Sequence, residues 1–297
     1  MSRSGLLSTT MLSGIVGAVF LSTLTVKAAD INTGAYTKAV ADVYRARPAV
    51  DGFNSKIDGF GGSEANKGLY GSRASLSAPI GQQFGVQVDA AAASFDSRFL
   101  GNIGGHLFTR DPAVGLLGIY VDYTRWSSRV GGVNVGRVAA EGEYYLGRWT
   151  LSAVAGVETG NSVSGVVGNQ IQSYDIKTRF FDVAKVSYYW TDDFKTYVGQ
   201  LYQGGKLSGL LGAEWGFAVG RGTMGSLFAE GRVGSGSNHG IFGGLKFYFG
   251  QRDKTLIRRH REDDPAAVES AAGTIGNSGT TTPVINTPVI QSENGPV

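Results

Sequence analysis

The stretch Gly240–Gly250, GIFGGLKFYFG, alternates strictly. Ile241, Gly243, Leu245, Phe247 and Phe249 fall on one face; Phe242, Gly244, Lys246 and Tyr248 fall on the other. A period of two specifies a β-strand. Beyond Gly250 the character changes at once, to charge and then to Ser, Thr, Asn, Pro and Gly. A last strand ending in aromatic residues suits the closing seam of a transmembrane β-barrel, because such rings settle at the membrane–water boundary.

The same alternation recurs upstream. It predicts strands over Phe53–Gly61, Leu69–Ala78, Phe84–Phe95, Asn102–Thr109, Leu116–Trp126 and Val135–Leu146. It continues over Trp149–Glu158, Phe180–Trp190, Thr196–Gly204, Leu207–Val219 and Leu227–Gly234. With Gly240–Gly250 the expected fold is all-β, an antiparallel up-and-down transmembrane barrel of about twelve strands. Alternation alone also fits a soluble sandwich. The connections favour the barrel. Those after the even strands, such as Pro79–Gln83, Gly147–Arg148 and Thr191–Lys195, are tight and rich in turn residues. The odd ones vary, and Thr159–Arg179 is the longest. Short turns on one side and longer loops on the other, with both barrel ends on the short side, is the outer-membrane pattern. Aromatics cluster at strand ends: Phe84, Phe108, Tyr144, Tyr145, Trp149, Tyr188, Tyr189, Trp190, Tyr197, Phe217, Phe247 and Phe249 on one side, and Phe60, Tyr70, Phe95, Tyr123, Trp126, Phe180, Phe181 and Phe242 on the other. Two girdles about a band of small residues are expected of a bilayer-spanning wall. Arg125 and Asp182 are expected to face outward, both near the outer ends of their strands, where a charge costs little.

Four segments are expected along the chain. Residues 1–28 read as a signal peptide: Arg3 supplies positive charge, Met11–Val26 is apolar, and Val26-Lys27-Ala28 precedes cleavage after Ala28 or Ala29. Residues 29–50 form a periplasmic lead, 51–250 the barrel, and 251–297 a charged segment followed by a disordered periplasmic tail. Glycine runs at roughly twice the usual ~7% of residues, spread through the strands. Charge is nearly balanced, which removes the electrostatic case for nucleic acid. The absence of cysteine excludes a disulfide scaffold, a thiol nucleophile and a Cys-ligated metal.

The signal peptide, the lead with Ala35-Tyr36-Thr37-Lys38-Ala39, the Gly-rich strands and the terminal Lys246-Phe247-Tyr248-Phe249-Gly250 resemble small Gram-negative outer-membrane barrel proteins of the porin-like superfamily. The resemblance implies residence in the outer membrane, contact with its lipid and lipopolysaccharide, and passive permeation of small solutes.

Function would reside on the inward face. Strand phasing places Asp58, Asp89, Asp122, Glu141, Glu143, Glu214 and Glu230 there, against Lys56, Arg73, Arg137, Lys185, Arg232 and Lys246. Charged rings in a lumen set ion selectivity; opposite charges across a narrow bore can equally pair and fill it. The expected function is therefore a narrow porin-like channel, with a filled structural or surface-interaction barrel as the alternative. No cofactor, metal or catalysis is expected. Ser237-Asn238-His239 is the one trio suggestive of a lipid hydrolase, but its members are consecutive in a Gly-Ser-Gly-Ser-Asn-His-Gly turn, and Ser, Asn and Gly there are ordinary turn chemistry. His106 is expected to be a bonded lumen side chain, and Arg258–Arg261 to lie at lipid headgroups or on a short solvated helix.

Overall fold

The computed structural model describes residues 47–235, 238–250, 252–266 and 271–284. Twelve antiparallel strands close into a ring. In chain order they are β1 (Asn54–Glu64), β2 (Lys67–Ile80), β3 (Phe84–Phe95), β4 (Arg98–Asp111), β5 (Gly115–Ser128), β6 (Gly131–Leu146) and β7 (Trp149–Gly160). After β8 (Ser162–Val167) and β9 (Gln170–Asp175), which stand outside the ring, come β10 (Arg179–Thr191), β11 (Phe194–Gln203), β12 (Lys206–Gly220), β13 (Thr223–Gly234) and β14 (Gly240–Phe249). Each ring strand pairs with its sequence neighbours, β7 joins β10, and β14 closes on β1 from Ser55↔Phe249 to Glu64↔Gly240. All twelve ring strands coincide with the segments expected from alternation.

The wall shows why the sequence alternates. Leu117, Val138, Leu211 and Ile241 are among the outward side chains left largely exposed, while Gln87, Asp89, His106, Arg137 and Glu141, pointing inward, are buried. A water-soluble protein does not leave so broad an apolar belt uncovered; the fold is that of a transmembrane barrel of the outer-membrane type. Trp149, Tyr188 and Trp190 form one outer aromatic run, with ring centroids 4.6 and 5.0 Å apart. Arg125 and Asp182 do face outward, and Gln200 donates a 3.0 Å hydrogen bond to the Asp182 carboxylate.

Several expectations need correction. Phe95, Phe108, Trp126, Tyr145, Phe181 and Tyr189 do not sit in the outer girdles but are buried inside, and Phe60, Tyr197 and Phe242 also turn to the inner face. A period of two sends adjacent aromatics to opposite faces, so a cluster at a strand end splits between membrane and lumen. The connections are short at both ends. At the end opposite the chain termini of the ring, Ala65–Asn66, Asp96–Ser97 and Gly204–Gly205 are two-residue turns with both residues at positive φ, the geometry whose twist matches a hairpin. The long connection instead folds into the β8–β9 hairpin. The end bearing this hairpin is called the hairpin mouth below, and the other the terminal mouth.

Part of the stretch expected to be disordered also carries structure. Helix α1 (Leu256–Glu262), helix α2 (Ala272–Ser278) and strand β15 (Gly279–Pro283) follow the ring. Burial of apolar Leu256, Ala272 and Ile275 supplies what the polar composition concealed. The expected signal peptide and most of the lead, together with residues 285–297, lie outside the described residues.

The strands coil closely enough that some positions admit no side chain. A Cβ at Gly156 would stand 2.0 Å from Val138 O and 2.5 Å from Ala139 Cα on the neighbouring strand. Gly156→Val is therefore expected to prevent formation of the compact, heat-shifted species on a semi-native gel. Gly136→Ala, whose Cβ meets nothing closer than 3.9 Å, should fold normally.

Candidate functional site: a self-occupied lumen

The inner face carries many polar side chains, which alternate along the strands with the outward apolar positions. The resulting groups are held in three connected clusters. In the first, the buried His106 ring lies between two carboxylates, with Nε2 2.9 Å from Asp89 Oδ2 and Nδ1 2.8 Å from Glu141 Oε2. In the second, Glu230 accepts from Tyr197 at 2.8 Å and pairs with Lys185 at 3.4 Å and Arg232 at 2.7 Å, while Arg232 reaches Glu64 at 3.1 Å. The third centres on Glu214. It accepts from Ser226 at 2.8 Å, Tyr248 at 2.7 Å and Lys246 at 3.1 Å, with Lys195 at 3.5 Å. Arg73 bonds Asp58 at 3.1 Å, and Asn102 donates to Asp122 at 2.9 Å.

The terminal mouth is occupied by α1. Its first amides are satisfied by the β10–β11 turn: Leu256 N donates to Asp193 Oδ1 and Ile257 N to Asp192 O. These bonds close two of the four donors a helix start leaves open. Leu256 packs on Met224 and Tyr248. Arg259 donates to Gly222 O at 2.9 Å and Arg261 to Trp149 O at 2.8 Å, so the helix is tied to turns around the rim. Arg258 pairs with Glu262 at 2.9 Å, and Lys254 with Asp51, Glu262 and Asp263. Thus Arg259 and Arg261 bind the mouth and not lipid headgroups, and the helix is seated in place of solvated. His260 points into the third cluster. Tyr189 OH lies 2.7 Å from Nδ1, and Tyr248 OH lies 2.9 Å from Nε2. Burial and the neighbouring Lys195 hold its imidazole well below the ordinary range. A neutral ring accepting from Tyr189 at Nδ1 and donating through Nε2 to Tyr248 satisfies every partner.

The chain then turns inward. Lys56 bonds the Asp264 carboxylate and Pro265 O, and Ser77 donates to Asp263 O at 3.1 Å. Helix α2 sits at the hairpin mouth. Ile275, Ala271 and Ala272 join a cluster with Leu69, Phe95, Leu100, Trp126, Val133, Tyr174 and Ile176. Thr274 donates to Glu158 at 2.6 Å and accepts from Arg137 at 2.8 Å; Arg137 also bonds Glu158 and Gln203. Strand β15 then adds to β9, from Gly279↔Tyr174 to Pro283↔Gln170. Between the two seats a cavity of about 180 Å³ remains, lined among others by Lys56, Arg73, Lys185, Glu214, Glu230 and Lys246.

The residues expected inward, Asp89, Asp122, Glu141, Glu143, Glu214, Glu230, Arg73, Arg137, Lys185, Arg232 and Lys246, all lie on the inner face. The sequence reading missed Glu64, Glu158 and Lys195, and placed Tyr197 in a girdle where the structure turns it inward onto Glu230. Their strand parity carried the signal, but Glu64 and Lys195 lay in stretches taken as connections. It also missed His260 and Thr274, for which α1 and α2 would first have had to be recognised. Of the suggestive trio, Ser237 lies outside the described residues, and His239 bonds Asn66.

The lumen, its charged wall and its apolar exterior define a transmembrane β-barrel of the outer-membrane type. Three solved outer-membrane barrels are among the structures it resembles. A KdgM porin, determined in complex with disordered oligogalacturonate, is 9% identical with a TM-score of 0.46 over 66% of this chain and 99% of that one. The translocator domain of autotransporter NalP from Neisseria meningitidis is 15% identical, TM-score 0.46, over 72% and 93%. The COG4313 outer membrane channel from Pseudomonas putida F1 is 11% identical, TM-score 0.45, over 74% and 99%. Neither a protein-family model nor a curated protein matches the chain.

Proposed function

We propose that this protein is a channel-type barrel of the Gram-negative outer membrane, held closed by its own C-terminal segment and passing small polar solutes when that segment leaves. One observation carries the reading. Helix α1 sits in one mouth and α2 in the other, yet between them remains a cavity whose lining includes paired charges such as Lys185–Glu230 and Lys246–Glu214. A wall serving support alone gains nothing from ionic groups, since well-packed apolar residues of similar volume are commonly as stable or more so. The short-turn end, where the ring begins and ends, faces the periplasm in this reading, and the β8–β9 hairpin faces out. The pore-lining set is the inward group named above, with Glu214 and Glu230 at the cavity. No catalysis is assigned. The alternative, a structural or surface-interaction barrel whose tail never leaves, is favoured by the buried Arg137–Glu158–Thr274 lock.

Planar-bilayer conductance separates the two. The full chain is expected to insert with little current. A variant ending at Gly250 retains every ring pairing and is expected to give a steady ohmic conductance. A truncated barrel that is heat-shifted on the gel yet silent in the bilayer would sink the channel reading and leave the structural one. In the conducting variant, neutralising Glu141, Glu143 and Glu214 together should move the reversal potential toward anion selectivity.

A further inference from the structure

We infer that the chain crosses the membrane once more after its twelve strands, through its own lumen, and so delivers β15 to the hairpin side as a displayed segment. Three observations converge. The segment enters at the terminal mouth, where α1 binds the turns Asp192–Asp193 and Arg221–Gly222. It next meets inward-facing Lys56 and Ser77. It is met again at the opposite mouth, where α2 touches Glu158, Arg137 and Gln203, all inward and buried. Ala266 lines the lumen cavity and Ala271 is buried in the cluster at the hairpin mouth, so the described chain on either side of residues 267–270 lies on the inner face of the ring.

Beyond α2 the chain does not stop in the lumen. β15 pairs with β9, and β9 with β8, a sheet that stands outside the ring. All five residues of β15, Gly279-Thr280-Thr281-Thr282-Pro283, are exposed. Among the described residues only one edge of this strand is taken, and Val284 N still bonds Asn169 O at the hairpin tip. Strand addition gives main-chain hydrogen bonds without demanding particular side chains, which fits a segment held there for display. This topology holds whether or not the segment ever leaves to open a pore.

The chain contains no cysteine, so single cysteines report without background. Thr281→Cys, Asn169→Cys at the hairpin tip and Arg221→Cys at the terminal mouth would be treated with a membrane-impermeant maleimide on intact cells and on lysed envelopes. Thr281→Cys is expected to label on the same side as Asn169→Cys and opposite to Arg221→Cys, whichever side proves to be outside. Labelling with Arg221→Cys would overturn the inference. In a second measurement, Thr281→Cys combined with Gln172→Cys, a register pair, is expected to form a disulfide that shifts mobility of the unreduced, denatured chain. A heat-shifted, folded barrel that forms no crosslink would also overturn it. Conductance plays no part in either readout.

Discussion

Replacing Arg137 with Met is expected to destabilise the folded barrel by about 3–5 kcal/mol, the usual cost of leaving one member of a buried ion pair without its partner. Glu158 is fully buried, and its two oxygens are met by Arg137, Thr274 and the Gly204 amide. Without the guanidinium, two neutral donors remain to stabilise a full charge far from water. Arg137 also stacks over Phe181, with its carbon 4.8 Å from the ring centroid, and a Met side chain preserves much of that apolar contact. The measurement is a urea titration of refolded protein followed by tryptophan fluorescence. Adding Glu158→Gln should return most of the loss, since a neutral amide needs no counter-charge. A shift in the single variant below about 1 kcal/mol, the scale of an exposed pair, would show that Glu158 is solvated and the lock is not a lock.

The second large effect concerns the seat of α2. Ile275 is fully buried among Leu69, Phe95, Trp126 and Val133. Ile275→Asp loses about 1.5–3 kcal/mol of apolar burial and adds the cost of a charge with no cation among those neighbours. A total above about 4 kcal/mol corresponds to roughly a thousandfold shift toward the unseated segment. Proteinase K should then trim the tail from the variant rapidly while the ring stays intact, because no ladder bond involves Ile275. Ile275→Val should be trimmed as slowly as the parent. Equal trimming of parent and Ile275→Asp would mean that the apolar cluster does not hold α2.

The ring was legible because a half-buried strand must alternate, and the Gly240–Gly250 rhythm repeats wherever the wall crosses the membrane. Inward charge was legible for the same reason. Glu141 and Glu214 sit on the opposite parity to the exposed Val138 and Leu211. Three things were not. Phe95 and Trp126 looked like girdle residues because ring position along a strand is readable while the presence of something inside the bore is not. Gly204–Gly205 was partly absorbed into a strand because a two-residue turn leaves almost no polar run to mark it. The tail resisted most. Leu256, Ala272 and Ile275 are too few and too widely spaced to give a helical rhythm, and their burial depends on a cavity that exists only after the ring closes. Local pattern cannot report a partner supplied by the other end of the fold.

With the hairpin mouth outward, as proposed, its tight turns also decide what another organism could recognise. Ala65–Asn66, Asp96–Ser97 and Gly204–Gly205 rise too little above the wall to offer a phage fibre or an antibody much relief. Among the described residues, the landmarks on that side are the β8–β9 hairpin and the threonine strand laid against it. If predation or immunity selects on this protein, escape variants should collect in residues 162–175 and 279–283, leaving the remainder of that rim under the constraints of folding alone.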